Sequence, residues 1–395
     1  MQHVFLIGAK CLGAYGGYET FVNKLTEYHA NNGNIKYHVA VKANGLGAKV
    51  PEEAKLKPGG YDYHNADCFE IDIIEKIGPA QAIYYDYKAF NKSIEIIKER
   101  EIEHPIIYIM TCRIGPLFNY YVRQIKKLGG KVFLNPDGHE WMRAKWSCVV
   151  KKYWKYSEKK MVLGADFVVC DSRNIETYIR KKYGIRNTAF IAYGAETGCS
   201  RCEDNKYQSW LDSNGLKRND YYLIVGRFVP ENNYEIMIRE YMKSNTKRHL
   251  AIITNSDKAF LKELEKKLHF SSDMRIKFVG TVYNQELLKK IREEAYGYIH
   301  GHEVGGTNPS LLEAVGSTKL NLLLKVCFNE EVAEDSALYW TKKDGDLAQL
   351  IDASESIDRE ALGRKGKERI ESSYSWKIIS DRYEKIWMGE EYELE

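Results

Sequence analysis

Short apolar runs alternate with longer amphipathic stretches along the whole chain. In the first half, runs rich in β-branched and aromatic residues predict strands at His3–Gly8, Tyr37–Lys42, Cys68–Ile73, Ile106–Met110, Val132–Asn135 and Asp166–Cys170. Between them, helical spacing of apolar positions predicts helices over Gly17–Asn31, Ala80–Glu101, Pro116–Leu128, Glu140–Val162 and Ser172–Lys182. The second half repeats the plan. Strands are expected at Tyr221–Gly226, Leu250–Thr254, Arg275–Val279, Tyr296–His300 and Leu320–Lys325. Helices are expected near Glu231–Ser244, Lys258–Phe270, Asn284–Glu294, Asn308–Gly316, Asp346–Ser354, Asp358–Ser372 and Ser375–Met388. Strand–helix alternation of this kind implies βαβ units and largely parallel sheets. The polar stretch Gly198–Asn219 lacks a strand pattern and marks a boundary. The expected fold is therefore α/β, with two Rossmann-like domains, 1–197 and 198–372, facing across a cleft. A helix within 373–395 is expected to pack back toward the first domain. Ligands of such sheets sit beyond the carboxyl ends of the strands, so motifs there are candidates for function.

Composition narrows the class. Of 395 residues, 44% are apolar and 29% charged, which excludes disordered and fibrous readings. The 29 tyrosines suit sugar binding or wet interfaces. No apolar run approaches the about 20 residues of a membrane span. Met1 leads straight into an apolar strand without a basic leader, so a cytoplasmic location is expected. Cys199 and Cys202 form a C-x-x-C with no second pair and no flanking His, and no metal is expected. Residues 1–200 hold 29 Lys+Arg against 21 Asp+Glu, whereas residues 201–395 hold 30 against 34. An anionic surface partner is thus expected to meet the first half.

Three strand ends carry chemistry. After the first strand comes GAYGGYET, whose Gly16 and Gly17 precede a helix and let backbone amides approach a bound group. The spacing fails as a dinucleotide G-x-G-x-x-G, and the second strand ends in Lys42 rather than an acid, which argues against an NAD enzyme. The second domain opens on a strand followed by GRFVPENN, with Arg227 placed for a bidentate phosphate contact. The third is HGHEVGGTNPSLLEAVGS, 300–317, in which Gly305, Gly306, Thr307 and Asn308 lead into a helix begun by Pro309. The amides of Gly306, Thr307 and Asn308 are expected to be exposed and to accept an anion.

GRFVPENN and VGGTNPSLLEA resemble the GT-B retaining glycosyltransferases of family 4. GAYGGYE and NPDGHEWMRAKW, 135–146, are similar to a narrower branch, the bacterial rhamnosyltransferases of polysaccharide assembly. The resemblance implies a nucleotide-sugar donor, dTDP-β-L-rhamnose, and no other cofactor. Arg227 would neutralise the donor diphosphate, with Gly16, Gly17 and Gly305 to Asn308 around it. A Lys usual in the family is replaced here by Asn232 and Asn233. Glu313 matches the second Glu of the family's E-x7-E, on the ribose hydroxyls. The first-Glu position falls on Gly305, so Glu303 fills that role only across a longer loop. The resemblance also implies front-face attack, with the departing phosphate taking the acceptor proton and no metal bridging the phosphates. Asp62 and Asp67 do not form a D-x-D motif.

On the acceptor side, Tyr18, Glu19, Asp137, Gly138, His139, Glu140 and Arg143 are expected to hold acceptor hydroxyls, with Asp137 or His139 assisting deprotonation. Residues 141–160 carry seven basic residues, one acid and five aromatics. Trp146, Lys151, Lys152, Trp154 and Lys155 suit an anionic membrane interface, at about 1 kcal/mol per cation. The expected partner is a polyprenyl-diphosphate-linked glucose or N-acetylglucosamine at the inner face of the plasma membrane. No recognition fold for nucleic acid accompanies the basic patch. Alternatives are a UDP-hexose donor, a GT-B sugar-nucleotide epimerase, and a non-catalytic membrane scaffold.

Overall fold

A computed structural model of the chain describes residues 1–14, 16–143, 146–255 and 257–390. Two units are separable: Met1–Tyr193 with Trp376–Glu395, and Gly194–Ser375.

The first unit runs β1 (Gln2–Ile7), α1 (Gly17–Tyr28), β2 (Ile35–Lys42), β3 (Lys55–Lys57), β4 (Gly60–Tyr63), β5 (Ala66–Ile71), α2 (Gln81–Glu99), β6 (Ile106–Met110), α3 (Gly115–Lys127), β7 (Lys131–Asn135), α4 (Cys148–Gly164), β8 (Phe167–Cys170), α5 (Arg173–Tyr183) and β9 (Thr188–Phe190). Its nine-stranded sheet has the order β3-β4-β5-β2-β1-β6-β7-β8-β9, antiparallel only at β3-β4 and β4-β5. Strand β6 is buried along its whole length, as expected of a parallel strand covered on both faces. Strand order reverses between β1 and β6, so the crevice favoured for ligands lies beyond their carboxyl ends.

The second unit contains α6 (Asp204–Asn214), β10 (Tyr221–Val225), α7 (Tyr234–Lys243), β11 (His249–Ile253), α8 (Lys258–Leu268), β12 (Ile276–Gly280), α9 (Gln285–Glu293), β13 (Gly297–His300), α10 (Pro309–Val315), β14 (Asn321–Leu324), α11 (Cys327–Ala333), β15 (Leu338–Trp340), α12 (Asp346–Ala353) and α13 (Arg359–Ser373). Its parallel sheet has the order β12-β11-β10-β13-β14-β15, with the reversal between β10 and β13.

The last helix, α14 (Trp376–Met388), belongs to the first unit. Tyr383 packs on Phe21 with ring centroids 5.1 Å apart, and its hydroxyl lies 3.0 Å from that of Tyr108. The Trp387 indole donates to the Tyr37 hydroxyl at 3.2 Å.

One expectation is corrected, and one helix was not expected. The helix expected over Glu140–Val162 is a 3-10 turn at Glu140–Met142 followed by α4, because Ser147 caps a fresh start by accepting the Val150 amide. The polar boundary stretch contains α6, closed by Gly215 in the left-handed region.

Candidate active site

In the second unit, the β10–β13 reversal brings the Arg227 and His300–Asn308 segments together. Beyond β10 the chain makes a 3-10 turn, Pro230–Asn232, and Asn233 takes a left-handed φ of 55° before α7. Asn232 donates from Nδ2 to the Arg227 carbonyl at 2.7 Å, and its Oδ1 faces His302 Nδ1 at 2.8 Å. Asn233 donates to the Gly301 carbonyl at 2.8 Å. Both asparagines therefore bind the two loops to each other. The guanidinium of Arg227 is exposed and makes no bond or ion pair among the described residues.

Gly306 and Thr307 are buried and Asn308 is half-buried, which corrects the expectation that the residues carrying these amides are exposed. The amides of Gly306 and Asn308 still have no acceptor among the described residues. Gly305 has φ 133°, a conformation that favours glycine. Asn308 caps α10 by accepting the amides of Ser310 at 2.9 Å and Leu311 at 3.4 Å. Glu313, one turn into α10, pairs with buried Arg292 at 2.7 Å. Glu303 pairs with Lys342 from the loop after β15. His300 is buried with no partner for Nε2, and burial with His302 nearby lowers its pKa to about 3.

A D-x-D does occur, Asp344-Gly345-Asp346, and sequence inspection passed over it. Asp344 pairs with Lys243, and Asp346 accepts from the Thr341 hydroxyl at 2.6 Å. No group of acidic, histidine and cysteine side chains fit for a metal occurs among the described residues.

In the first unit, Gly16 is the N-cap of α1, and the Glu19 carboxylate folds over it to accept the Lys10 amide at 3.0 Å. A Cβ at Gly17 would meet nothing within 4 Å. Asp137, with a left-handed φ of 61°, accepts the Gly138 amide at 2.8 Å. Tyr18 and Arg143 lie within its electrostatic reach. His139 joins a different group, its ring centroid 4.3 Å from Tyr178 and 5.5 Å from Trp141. Burial lowers the His139 pKa despite the pull of Glu158, which keeps the ring neutral at pH 7. Glu140 is engaged by Arg143 and by the Trp146 indole at 2.9 Å.

Sequence inspection missed Arg113 and Thr111, which follow β6 at the other reversal. Arg113 is nearly buried and donates from Nη1 to fully buried Asp86 at 3.1 and 3.3 Å. The only signal was Thr-Cys-Arg-Ile-Gly-Pro between a strand and a helix start. A cavity of about 550 Å³, lined by Lys131, Phe133, Arg186 and Trp387, opens at the amino-terminal edge of this sheet, away from the strand ends described above.

Trp146, just before α4, and Trp154 on it are half-buried with ring centroids 6.2 Å apart. Lys152 and Lys155 are exposed and Lys151 is partly covered. The exposed apolar side chains are instead Val149, Tyr156 and Leu163, spaced seven residues apart on one stripe.

A family model described as a domain of unknown function, DUF1972, matches residues 1–196. No curated protein matches the sequence. Solved structures match along their full length. Sucrose-phosphate synthase from Thermosynechococcus elongatus superposes with a TM-score of 0.73 at 17% identity, covering 98% of this chain and 99% of that one. A glycosyltransferase from Rickettsia africae gives 0.73 at 13%, covering 98% of both. Anabaena HepE in complex with UDP-glucose gives 0.72 at 13%, covering 98% and 100%. Two parallel-sheet units matched end to end by these proteins give the chain the GT-B fold.

Proposed function

We propose that the chain is a retaining glycosyltransferase that moves L-rhamnose from dTDP-β-L-rhamnose to a polyprenyl-diphosphate-linked glucose or N-acetylglucosamine in capsule or cell-wall assembly. The observation that carries this reading is Arg227: an exposed guanidinium, unpaired among the described residues, on the loop that Asn232 and Asn233 tie to the segment leading to Gly306 and Asn308, whose amides have no acceptor among the described residues, at the reversal of the second sheet. A guanidinium and amides fixed before the reaction stabilise charge developing on a departing diphosphate. The bond between the sugar's anomeric carbon and the phosphate oxygen breaks, and the acceptor hydroxyl bonds that carbon on the same face. Its proton passes to the departing phosphate oxygen. Glu303 contacts the donor sugar, Glu313 the ribose, and Asp137 the acceptor hydroxyl in this scheme.

Membrane docking on the cytoplasmic face is supported by α4 and its neighbour α3. Val149, Tyr156 and Leu163 are 77, 49 and 51% exposed, and Leu117 and Tyr120 of α3 are exposed beside a lysine-rich surface. Glu158, the one acid in α4, is buried against Tyr178 and Trp141 at 2.7 and 3.1 Å.

HepE was solved with UDP-glucose, which favours a second reading with a UDP-activated hexose. A donor panel separates the two. We expect dTDP-rhamnose, and not UDP-glucose, to raise the melting temperature and to be hydrolysed slowly. Stabilisation by UDP-glucose alone overturns the rhamnose assignment, and stabilisation by no sugar nucleotide overturns the transferase.

A further inference from the structure

We infer that the crevice beyond β1, β6 and β7 in the first unit binds a neutral sugar ring, with Arg113 donating to one hydroxyl, Asp137 accepting from its neighbour and Thr111 completing the set. This names the acceptor's recognition element and rests on the transferase reading only for what happens to that ring afterwards.

Backbone geometry at this crevice is costly, and packing alone does not account for it. Gly8 has φ 136°, and a Cβ there would lie 2.9 Å from Met110 Cβ, so only glycine lets β1 pass β6 so closely. Thr111, the next residue after β6, is β-branched and yet has φ 83°. Its amide donates to the Asn135 carbonyl at 2.8 Å, and Asn135 Oδ1 in turn accepts the Asp137 amide at 2.8 Å. The strained residue is therefore tied to the loop that carries Asp137. Thr111 is 4% exposed, and its buried hydroxyl has no partner among the described residues. A buried hydroxyl without a partner calls for an explanation, and a ligand bond at this strand end supplies one.

Arg113 supplies the second observation. Asp86 takes only Nη1, and Nε and Nη2 make no bond among the described residues. The Tyr153 hydroxyl donates to the Arg113 carbonyl at 2.6 Å and fixes the backbone behind it. The guanidinium is thus held from one side with its other edge open, pre-organised for a planar contact. Tyr18, whose buried hydroxyl lacks a well-formed hydrogen bond, sits among Asp137, Arg113 and Tyr193.

Charge decides the ligand class. Arg113 and Arg143 share this neighbourhood with Asp86, Asp137 and Glu140, so a free phosphate gains little from the cations before meeting carboxylates. Adjacent sugar hydroxyls fit better, since each both donates and accepts. Tyrosines beside the carboxylate and guanidinium supply ring contacts.

The test uses the full chain and two probes, p-nitrophenyl β-glucoside and p-nitrophenyl N-acetyl-β-glucosaminide, read by saturation-transfer NMR. Arg113→Gln risks unfolding because it strands Asp86, so Thr111→Val serves beside it: the swap keeps shape and removes only the unpartnered hydroxyl. The wild type is expected to bind one glycoside through its ring protons. Thr111→Val is expected to melt no lower than wild type and to bind at least fivefold more weakly, and Arg113→Lys to weaken binding while nucleoside diphosphate affinity stays unchanged. Equal glycoside binding by Thr111→Val and Arg113→Lys, or displacement of the glycoside by millimolar inorganic phosphate, overturns the inference. Glycoside binding that depends on Thr111 without any sugar transfer would sink the transferase reading and leave this site standing.

Discussion

Asn232 holds His302 by a 2.8 Å contact between its Oδ1 and the ring Nδ1. The orientation of the amide is settled by its other end, since Nδ2 donates to the Arg227 carbonyl. Nδ1 of His302 is therefore the donor to the Asn232 oxygen. Asn232 thus fixes a loop and the orientation of the His302 ring.

Asn232→Ala removes both bonds, each worth about 1 kcal/mol. Differential scanning calorimetry is expected to show the second unit melting roughly 3–6 °C lower. Transfer rate should drop while Arg227 itself stays intact. An unchanged melting temperature would mean that the two loops hold together without this amide.

Arg227→Ala is expected to leave stability within about 0.5 kcal/mol, because the side chain is exposed and unpaired among the described residues. Turnover should fall by roughly 10²–10³, the scale of losing one preorganised charge-stabilising group. Nucleoside diphosphate binding by titration calorimetry should weaken in parallel. Wild-type turnover in this variant would remove the proposed role.

His300 sets an acid limit on the second unit. Its folded pKa is depressed to about 3, whereas an unfolded histidine protonates near 6.5. Between these values the unfolded state binds the proton that the native state refuses. Stability therefore falls as pH drops below about 6.5, approaching about 1.4 kcal/mol per pH unit. Urea unfolding at pH 7, 6 and 5 should show this slope, and His300→Gln should flatten it. Identical slopes would assign the acid limit to other groups.

Gly8→Ala is expected to destabilise the first unit by more than about 2 kcal/mol, since the added Cβ meets Met110 in a backbone conformation that disfavours side chains. Chemical denaturation with far-UV detection measures the loss. A neutral substitution would show that β1 and β6 can separate freely.

Val149→Glu with Leu163→Glu replaces two of the exposed apolar side chains on α4. Wild type is expected to sediment with vesicles containing phosphatidylglycerol and to leave those of phosphatidylcholine alone, as anionic lipid adds about 1 kcal/mol per nearby lysine. The double variant should lose most of that binding without a change in melting temperature. Equal sedimentation of both forms would rule out this face.

Central strands were legible because continuous burial writes itself as apolar runs: β1, β6, β10 and β14 lie where those runs are. Three of the four edge strands were not. In β3, Lys55-Leu56-Lys57, Leu56 is 77% exposed, and β9 and β15 have three residues each, too few for a period to show. Arg227 and the Gly305–Asn308 turn stood out because glycines cluster at a strand end. Arg113 did not, since its partner Asp86 lies on a separate helix and only the folded sheet brings them together. The break before α4 was hidden in a run of aromatic and basic residues, of which Trp146 and Arg143 turn back to Glu140 instead.

Helix α14 gives the chain a particular order of completion. The family model ends at residue 196, yet Phe21, Tyr37, Tyr108 and Phe133 are covered by side chains from beyond residue 375. During synthesis this face stays bare until the whole intervening unit has left the ribosome, so it depends on a late arrival for its protection from aggregation. A chain stopped before Trp376 carries a greasy scar that quality control can recognise, which couples survival of the early half to successful translation of the late one.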